Sequence, residues 1–217
     1  MRKAVARIGD AVVLCGAMSD PLVRAFGFGA LGCAVMSAAF LLPVADTWAR
    51  LVAAITLLGA IGGASLGHER HALLRAALGH ALLGVAAGLF VYASAWVLAR
   101  IAPVAAQARV MAALPSGHSN FVIAVTVVVA AVSEELFWRA TVLRLLLHRL
   151  PALTGIGIGT CLYALAHIVS GLWLLPVAAL GAGVVWALLF VLTRNLTAPI
   201  ASHIVFDLLV LLIPPLA

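Results

Sequence analysis

Long apolar segments separated by short polar connections make up most of this sequence. They fall near residues 25–44, 51–67, 77–99, 118–140, 153–175, 177–193 and 199–215. Apolar segments of roughly 18–25 residues match helices that cross a hydrocarbon core of about 30 Å. The alternation of polar and apolar residues that a membrane barrel requires is not visible. The pattern therefore predicts seven membrane helices, and an eighth short helix or half-span at 11–22 is compatible with it.

The composition agrees with this pattern. Hydrophobic residues make up 65% of the chain and charged residues only 9%, and the mean hydropathy is +1.23. No soluble domain has this balance. The predicted fold class is all-α, a polytopic membrane helix bundle. Since we find no internal repeat and no linker long enough to separate a second domain, residues 1–217 are predicted to form a single integral membrane domain.

The distribution of basic residues predicts the orientation of the bundle. The net charge of +6 could suggest a nucleic-acid partner, but the Lys and Arg residues are scattered between apolar segments, as in loops that follow the positive-inside rule. With a cytosolic N terminus, ten of the 13 Lys and Arg residues fall in cytosolic segments, and Arg50, Arg100 and Arg109 fall on the other side. We therefore expect a multi-pass protein of the cell membrane, in contact with the lipid bilayer and without a nucleic-acid partner.

Five ionisable side chains lie inside apolar segments of the C-terminal half. They are Glu134, Glu135, His167, His203 and Asp207. A charge at the centre of a membrane helix costs about 2.5–3.5 kcal/mol on insertion scales, so such residues are rare, pair with one another and mark functional sites. The sequence therefore predicts that these residues are one another's partners inside the membrane.

Helical spacing predicts which of these side chains are partners. His203 and Asp207 are four residues apart and share one helix face. Glu135 and Arg139 have the same spacing, with the acid first, which is the favourable order for an ion pair. Glu134 is turned by about 100° from Glu135 around the helix axis. Glu134 is thus predicted to lack a cation on its own helix.

The depths of the predicted residues also match. Glu134 and His167 each lie sixteen residues from the predicted turn at 150–151, or about 24 Å along a helix. An antiparallel hairpin would therefore place them at the same level, and His203 reaches a similar depth from the loop at 195–199. Because the basic segment 139–149 is expected to project into the cytosol, the site is predicted to open towards the cytosol.

Three motifs follow one another in the C-terminal half. Residues 134–139 read EExxxR, residues 163–167 read YxxxH and residues 203–207 read HxxxD. Their order and separation resemble the CAAX prenyl protease and bacteriocin-processing (CPBP, or Abi) family of glutamic-type intramembrane proteases. The resemblance covers about residues 120–215, the predicted catalytic core.

The resemblance implies an all-helical fold with a polar, water-filled cavity inside the membrane. It also implies an intramembrane endopeptidase that hydrolyses a peptide bond with an activated water molecule. Glu134 would be the general base, and His167 would help to hold the water. His203 with Asp207 would stabilise the oxyanion. The substrate would be a membrane-associated protein or peptide, including one with a lipid or a C-terminal tail, and no cofactor is expected.

The resemblance also implies supporting roles and shows two departures from the family pattern. Glu135 and Arg139 would pair and fix the helix. Tyr163 replaces the usual Phe, which is expected to be tolerated because both have an aromatic ring. Asp207 stands where many members have Asn, and an ionised Asp cannot donate a hydrogen bond. Asp207 must therefore carry a proton in the reactive state or orient His203 instead.

A metalloprotease is the strongest alternative at the same site. Glu134, His167 and His203 form a His2Glu set of the kind that binds catalytic zinc. The HExxH motif of the usual zinc-protease helix is absent from the sequence. We favour chemistry without a metal, and keep zinc as the alternative cofactor.

Two further alternatives belong to other classes. Asp, Glu and His residues in membrane helices also form proton relays, so the cluster is compatible with a proton-coupled transporter, or with a scaffold that only binds its partner. PSGH at 115–118 and HxxxD at 203–207 match parts of a membrane lipid phosphatase signature. The KxxxxxxRP run of that signature does not precede Pro115, which makes the phosphatase the weakest of these hypotheses.

Overall fold

The computed structural model describes residues 20–43 and 46–214, and no strand occurs within these ranges. Eight main helices follow one another, and short helical turns lie at Gly67–Glu69, Arg70–Leu73 and Ile168–Ser170. The main helices are α1 (Pro21–Leu41), α2 (Thr47–Ser65), α3 (Leu78–Leu98), α4 (Ala102–Ala112), α5 (Asn120–Leu147), α6 (Ala152–Leu165), α7 (Leu174–Thr193) and α8 (Thr197–Leu212).

The predicted polytopic helix bundle is confirmed. Within the described residues, six helices are long and apolar enough to cross a membrane: α1, α2, α3, α5, α6 with its extension to Ser170, and α7. Helix α8 has 16 residues, about 24 Å at 1.5 Å per residue, and is the seventh apolar helix. The possible short helix at 11–22 lies almost entirely outside the described residues. Helix α4 was not predicted.

Polar side chains cap the first turns of three helices. The carboxylate of Asp20 accepts a hydrogen bond from the backbone N–H of Leu22 (2.7 Å) at the start of α1. Asp46 caps α2 in the same way, and the Ser119 hydroxyl caps α5. Such caps satisfy backbone N–H groups that have no partner within the helix. They explain why α1 and α2 begin about four residues before their predicted apolar segments.

The connections at 66–77, 148–151 and 194–196 lie at one end of the bundle. Asn195 Nδ2 donates to the carbonyl oxygen of Arg75 (2.9 Å), and Arg149 Nη2 lies 3.8 Å from Asp20 Oδ2 at the start of α1. We call this end the arginine-rich face. It carries Arg24, Arg75, Arg144, Arg149 and Arg194.

The opposite end of the bundle, the arginine-poor face, holds the connection after Leu41, the segment 99–119 and the end of α8. There, His118 Nε2 lies 3.1 Å from Asp46 Oδ2, and the Tyr92 hydroxyl donates to the carbonyl oxygen of Ile213 (2.6 Å). The basic residues of this face are Arg50, Arg100 and Arg109.

Glycines allow α3 to pack closely against α8. A Cβ atom on Gly88 would lie 2.6 Å from the carbonyl oxygen of Ser202 and 2.9 Å from Val205 Cβ, and Gly84 faces Ala198 in the same way. Small residues at such positions let two membrane helices approach closely. This close packing fixes the helix that carries His203.

We predict that Gly88→Ala destabilises the protein by about 1–3 kcal/mol, because the added methyl group overpacks the α3–α8 contact. Thermal unfolding of the purified protein in detergent measures the effect. Gly79→Ala is the matched control on the same helix, since a Cβ atom there meets nothing within 4 Å. Equal melting temperatures for the two variants would contradict the packing argument.

Candidate active site

A cavity of about 180 Å³ lies inside the bundle between α1, α2, α5, α6, α7 and α8. Most of its lining is apolar. Its ionisable lining residues are Glu134 on α5, Tyr163 and His167 on and after α6, and His203 and Asp207 on α8. The structure thus brings together the four residues predicted as catalytic, on three segments of the chain.

Glu134 is buried, with 7% of its surface exposed. The Tyr163 hydroxyl donates a hydrogen bond to Glu134 Oε2 at 2.5 Å, and His203 Nε2 lies 4.0 Å from the same oxygen. No cation of its own helix pairs with this carboxylate among the described residues, as the spacing predicted. The hydroxyl contact was not predicted, because Tyr163 was treated as equivalent to Phe.

Glu135 is fully buried and joins two cationic groups. Its Oε1 atom lies 3.2 Å from Arg139 Nη1 and 2.8 Å from His203 Nδ1. The predicted pair with Arg139 forms. The contact with His203 was not predicted, because it joins α5 to α8 and no spacing along the sequence indicates it.

Arg139 is buried in the bundle, whereas the sequence analysis expected it at the start of a segment that reaches the cytosol. Its guanidinium carbon lies 4.5 Å from the centre of the Tyr163 ring and 5.2 Å from that of Trp186. Nη2 donates to the carbonyl oxygen of Gly183 at 3.5 Å. The ion pair with Glu135, the aromatic faces and this carbonyl together offset the cost of removing the guanidinium from water.

A nine-residue π-helical segment, Glu135–Leu143, carries this pair in the middle of α5. Every residue of the segment except Leu136 is buried. The Thr141 hydroxyl contacts the carbonyl oxygens of Leu136 (3.1 Å) and Gly62 (3.3 Å). It therefore offers these carbonyls a hydrogen-bond partner where the π-helical backbone departs from the regular α-helical hydrogen-bond pattern. π-Helical turns are rare and occur often at functional sites. The apolar pattern of the sequence predicted a regular α-helix here.

Carboxylates face both ring nitrogens of His203. Nδ1 contacts Glu135, and Nε2 lies 3.4 Å from Asp207 Oδ2. The ring also stacks on Trp186 with a centroid distance of 3.7 Å and an interplanar angle of 16°, and Trp186 Nε1 donates to the Ser202 hydroxyl at 3.2 Å. No role was predicted for Trp186 and Ser202, because a single aromatic or hydroxyl residue in an apolar helix usually only packs against neighbouring side chains.

The environment of His203 bears on the zinc alternative. An imidazole that donates to acceptors on both nitrogens is the imidazolium, whereas a metal ligand is a neutral imidazole with a free lone pair. Among the residues that the structure describes, no group of three or more His, Cys, Asp or Glu side chains could hold a metal ion. The proposed set of Glu134, His167 and His203 does not fit a metal in this arrangement.

His167 follows the last turn of α6 and is buried. Its Nδ1 atom lies 2.9 Å from the carbonyl oxygen of Tyr163. A carbonyl oxygen only accepts, so Nδ1 carries the proton and Nε2 of a neutral ring is left as an acceptor. The ring packs edge-on against Tyr163 at a centroid distance of 4.9 Å, which fixes its orientation.

The cavity extends from these polar residues towards the arginine-poor face. Other lining residues lie at that end of their helices, namely Phe40, Trp48, Leu114, Leu175 and Leu211. None of the lining residues comes from the connections at the arginine-rich face. The prediction that the site opens towards the arginine-rich side is therefore wrong. It rested on placing Arg139 near the cytosol, but this residue lies in the core.

The Glu135–Arg139 pair leads to a prediction about stability. Arg139→Ala should cost about 3–5 kcal/mol, because it leaves a buried carboxylate without its cation. The double variant Arg139→Ala/Glu135→Ala should cost less than the sum of the two single variants. Unfolding in detergent measures all three.

The pair Arg149–Asp20 is the control for this cycle. It is largely exposed, so its removal should cost less than about 1 kcal/mol. If the effects of Arg139→Ala and Glu135→Ala simply add, the two side chains do not stabilise each other.

Comparison with protein families gives one result. Residues 116–209 match the family model described as Rce1-like, type II CAAX prenyl endopeptidase. The matched segment includes all three motifs and the polar residues of the cavity. Searches of curated proteins and of solved structures found no match to this chain.

Proposed function

We propose that this chain, whose residues 116–209 match the model of the Rce1-like family of type II CAAX prenyl endopeptidases, is an intramembrane endopeptidase in which Glu134 activates the attacking water. The substrate is a protein or peptide associated with the membrane. The observation that carries this proposal is the meeting of Glu134, His167 and His203 in one cavity inside the bundle. We place the protein in the cell membrane, with a cytosolic N terminus.

The charges around the cavity support Glu134 as the proposed base. Glu135 is paired with Arg139, and Asp207 faces the ring of His203. Among these three carboxylates, Glu134 is the one whose closest polar contact is a neutral hydroxyl. Its nearest cationic group, the His203 ring, lies 4.0 Å away, farther than the cations that contact Glu135. Glu134 is therefore the carboxylate best able to accept a proton from water, which is the task of a general base.

The hydrolysis then proceeds in two steps. Glu134 Oε1, the oxygen that Tyr163 does not hold, takes a proton from the water as the water oxygen attacks the carbonyl carbon of the substrate. The His167 Nε2 atom accepts a hydrogen bond from the same water. The resulting oxyanion accepts a hydrogen bond from the Nε2–H group of the His203 imidazolium, which it shares with Asp207 Oδ2 at 3.4 Å. A positioned donor of this kind stabilises such intermediates. Protonated Glu134 gives its proton to the leaving nitrogen as the C–N bond breaks.

We predict that Glu134→Gln lowers the rate of hydrolysis by at least about a hundredfold, because an amide cannot accept the proton of the water. The melting temperature should change little. Glu69→Gln is the matched control, since Glu69 is a half-exposed residue paired with Arg144 at the arginine-rich face. Normal cleavage by Glu134→Gln would show that Glu134 is structural.

The same assay distinguishes the proposed chemistry from zinc catalysis. Activity that survives a chelator, in protein without stoichiometric metal, is the expected result. One tightly bound ion per chain, whose removal abolishes activity and whose return restores it, would establish the His2Glu alternative with Glu134, His167 and His203 as ligands.

The hydroxyl of Tyr163 is predicted to position the base. Tyr163→Phe should lower kcat by about 10- to 100-fold, because a hydrogen bond to a charged group is worth about 1.5–3 kcal/mol. KM should change little, since the hydroxyl holds Glu134. Tyr92→Phe is the matched control at the arginine-poor face. An unchanged kcat would mean that the aromatic ring alone is needed, as in family members with Phe.

Asp207 is proposed to orient His203 and to support its positive charge, since Asp207 Oδ2 lies 3.4 Å from Nε2 of that ring. Asp207→Asn and Asp207→Ala should then both lose activity over the whole pH range, because neither keeps the negative charge. A pH–rate profile of the variants tests this. If Asp207→Asn stays active and extends activity to higher pH, Asp207 is instead a protonated donor to the oxyanion.

The structure does not favour the phosphatase. His118 of the PSGH sequence pairs with Asp46 at the arginine-poor face and is not among the residues that line the cavity. The two parts of the phosphatase signature therefore do not form one site. For a proton relay, a polar path would have to continue beyond the cavity, whereas buried apolar residues lie between the site and the arginine-rich face.

A further inference from the structure

We propose that Trp186 is a positioning residue of the site: its indole face holds the His203 ring so that the Nε2–H group of that ring points into the cavity, where the oxyanion forms. This inference rests on the proposed function and gives a role in the same reaction to a residue outside the three motifs. Three observations support it: the geometry of the stack, the anchoring of the indole and the charges around it.

The stack between Trp186 and His203 differs from the other ring contacts of the core. The two ring centroids lie 3.7 Å apart, and the rings are 16° from parallel. Among the described residues, six other ring pairs meet at interplanar angles of 61–87°, the edge-on arrangement that neutral rings prefer to a direct face-to-face stack. A cation, by contrast, is attracted to the face of an indole. The stack is therefore the contact expected for an imidazolium, and it does more than fill space.

The orientation of the indole is fixed by the helix that carries His203. Trp186 Nε1 donates to the hydroxyl of Ser202 at 3.2 Å, and Ser202 is fully buried and directly precedes His203 on α8. The carbonyl oxygen of Ser202 faces Gly88 of α3, so this part of α8 is closely packed. One side chain of α7 thus holds two consecutive residues of α8, one by a hydrogen bond and the other by stacking.

Two contacts define the direction of the His203 Nε2–H group. Glu135 Oε1 holds Nδ1 at 2.8 Å, and the indole face sets the plane of the ring. With both contacts in place, Nε2 points to the side of the cavity that holds Asp207 Oδ2 at 3.4 Å and Glu134 Oε2 at 4.0 Å. Stabilisation of an oxyanion depends on donors that are held in place in advance. Without the indole face, the ring is free to tilt, and the Nε2–H group turns away from the oxyanion.

The indole supports positive charge without adding a carboxylate to the site. Its ring centre lies 5.2 Å from the guanidinium carbon of Arg139, so the indole lies beside both cationic groups that share Glu135. A further carboxylate at this position would compete with the oxyanion for the Nε2–H group. An aromatic face attracts the imidazolium through its ring quadrupole and leaves that N–H group available to the reaction.

The kinetics of Trp186 variants test this role. The probe is a prenylated peptide ending in a CAAX sequence, cleaved by purified protein in detergent below the melting temperature of every variant. Trp186→Leu, which has no aromatic face, should lower kcat at least about 30-fold, a difference of about 2 kcal/mol, and Trp186→Phe, which keeps a smaller face, by less than about tenfold. KM should change little, because only 2% of the surface of Trp186 is exposed.

Phe190→Leu is the matched control, since Phe190 is a buried aromatic residue one turn further along α7 and is not among the residues that line the cavity. Both leucine variants remove a ring from the core and should lower the melting temperature. Only Trp186→Leu should lower kcat. An unchanged kcat in Trp186→Leu, or an equal loss in Phe190→Leu, would overturn the inference and leave the proposed function in place.

Removal of the anchor is a second test, which stays informative if Trp186→Leu does not fold. Ser202→Ala keeps every ring of the site and removes the acceptor of the indole N–H. It should lower kcat about three- to tenfold in the protein with Trp186. In the Trp186→Phe background it should have much less effect, because the hydrogen bond is already absent. An equal loss in both backgrounds, or no loss in either, would overturn the anchoring on which the inference depends.

Fluorine NMR tests the stack without any measurement of cleavage. The five tryptophans are replaced by a fluorotryptophan, and Trp186→Phe identifies the signal of Trp186. His203→Gln should move that signal further than the other four, because it removes the ring that lies on the indole. The absence of such a shift would overturn the stack. If the shift occurs but the unaltered protein cleaves neither the prenylated peptide nor a membrane-spanning apolar peptide, the proposed function fails, and the role of Trp186 in catalysis fails with it.

Discussion

The buried Glu135 carboxylate is the contact on which the rest of the site depends. It meets the Arg139 guanidinium on its own helix and the His203 ring on α8. Each of these groups would be costly alone inside a membrane bundle, and together they neutralise much of one another's charge. Glu135 thus sets the distance between α5 and α8. Once that distance is set, His203 faces Glu134 and Asp207 across the cavity.

The backbone geometry of α5 places Glu135 where it can contact both Arg139 and His203. The π-helical segment Glu135–Leu143 places nearly all of its residues in the protein interior, so a carboxylate and a guanidinium four positions apart are both buried. Trp186 packs on the His203 ring, and its own N–H is bonded to Ser202. The ring is therefore held between a flat aromatic surface and carboxylates, which leaves it little freedom to rotate.

Much of this arrangement could be predicted from the sequence. The apolar segments predicted the helices, and the motifs predicted which polar residues meet, because helical spacing and the cost of lone charges restrict the partners. The Glu135–His203 contact and the stacking of Trp186 could not be predicted, since they join separate helices. The end of the bundle at which the cavity opens was predicted wrongly. Counting residues from a turn gives the depth of a side chain in the bundle, but it does not show which end of the bundle is closed by packed side chains. The Tyr163 hydroxyl was overlooked because the motif describes only its ring.

The helices outside the family match have a consequence for how the surroundings of the cavity can vary. Gly62 of α2 abuts the backbone of Leu136, with its notional Cβ 2.9 Å from that carbonyl oxygen, and Gly88 of α3 abuts Ser202. The residues proposed to act in hydrolysis lie within 116–209, yet helices that precede this segment in the chain pack against both halves of the site and line part of its cavity. A change in α2 or α3 can therefore alter what reaches the reacting atoms without touching them. Part of the wall around the proposed site thus lies outside the segment that carries the proposed catalytic residues, and it can vary without any change in them.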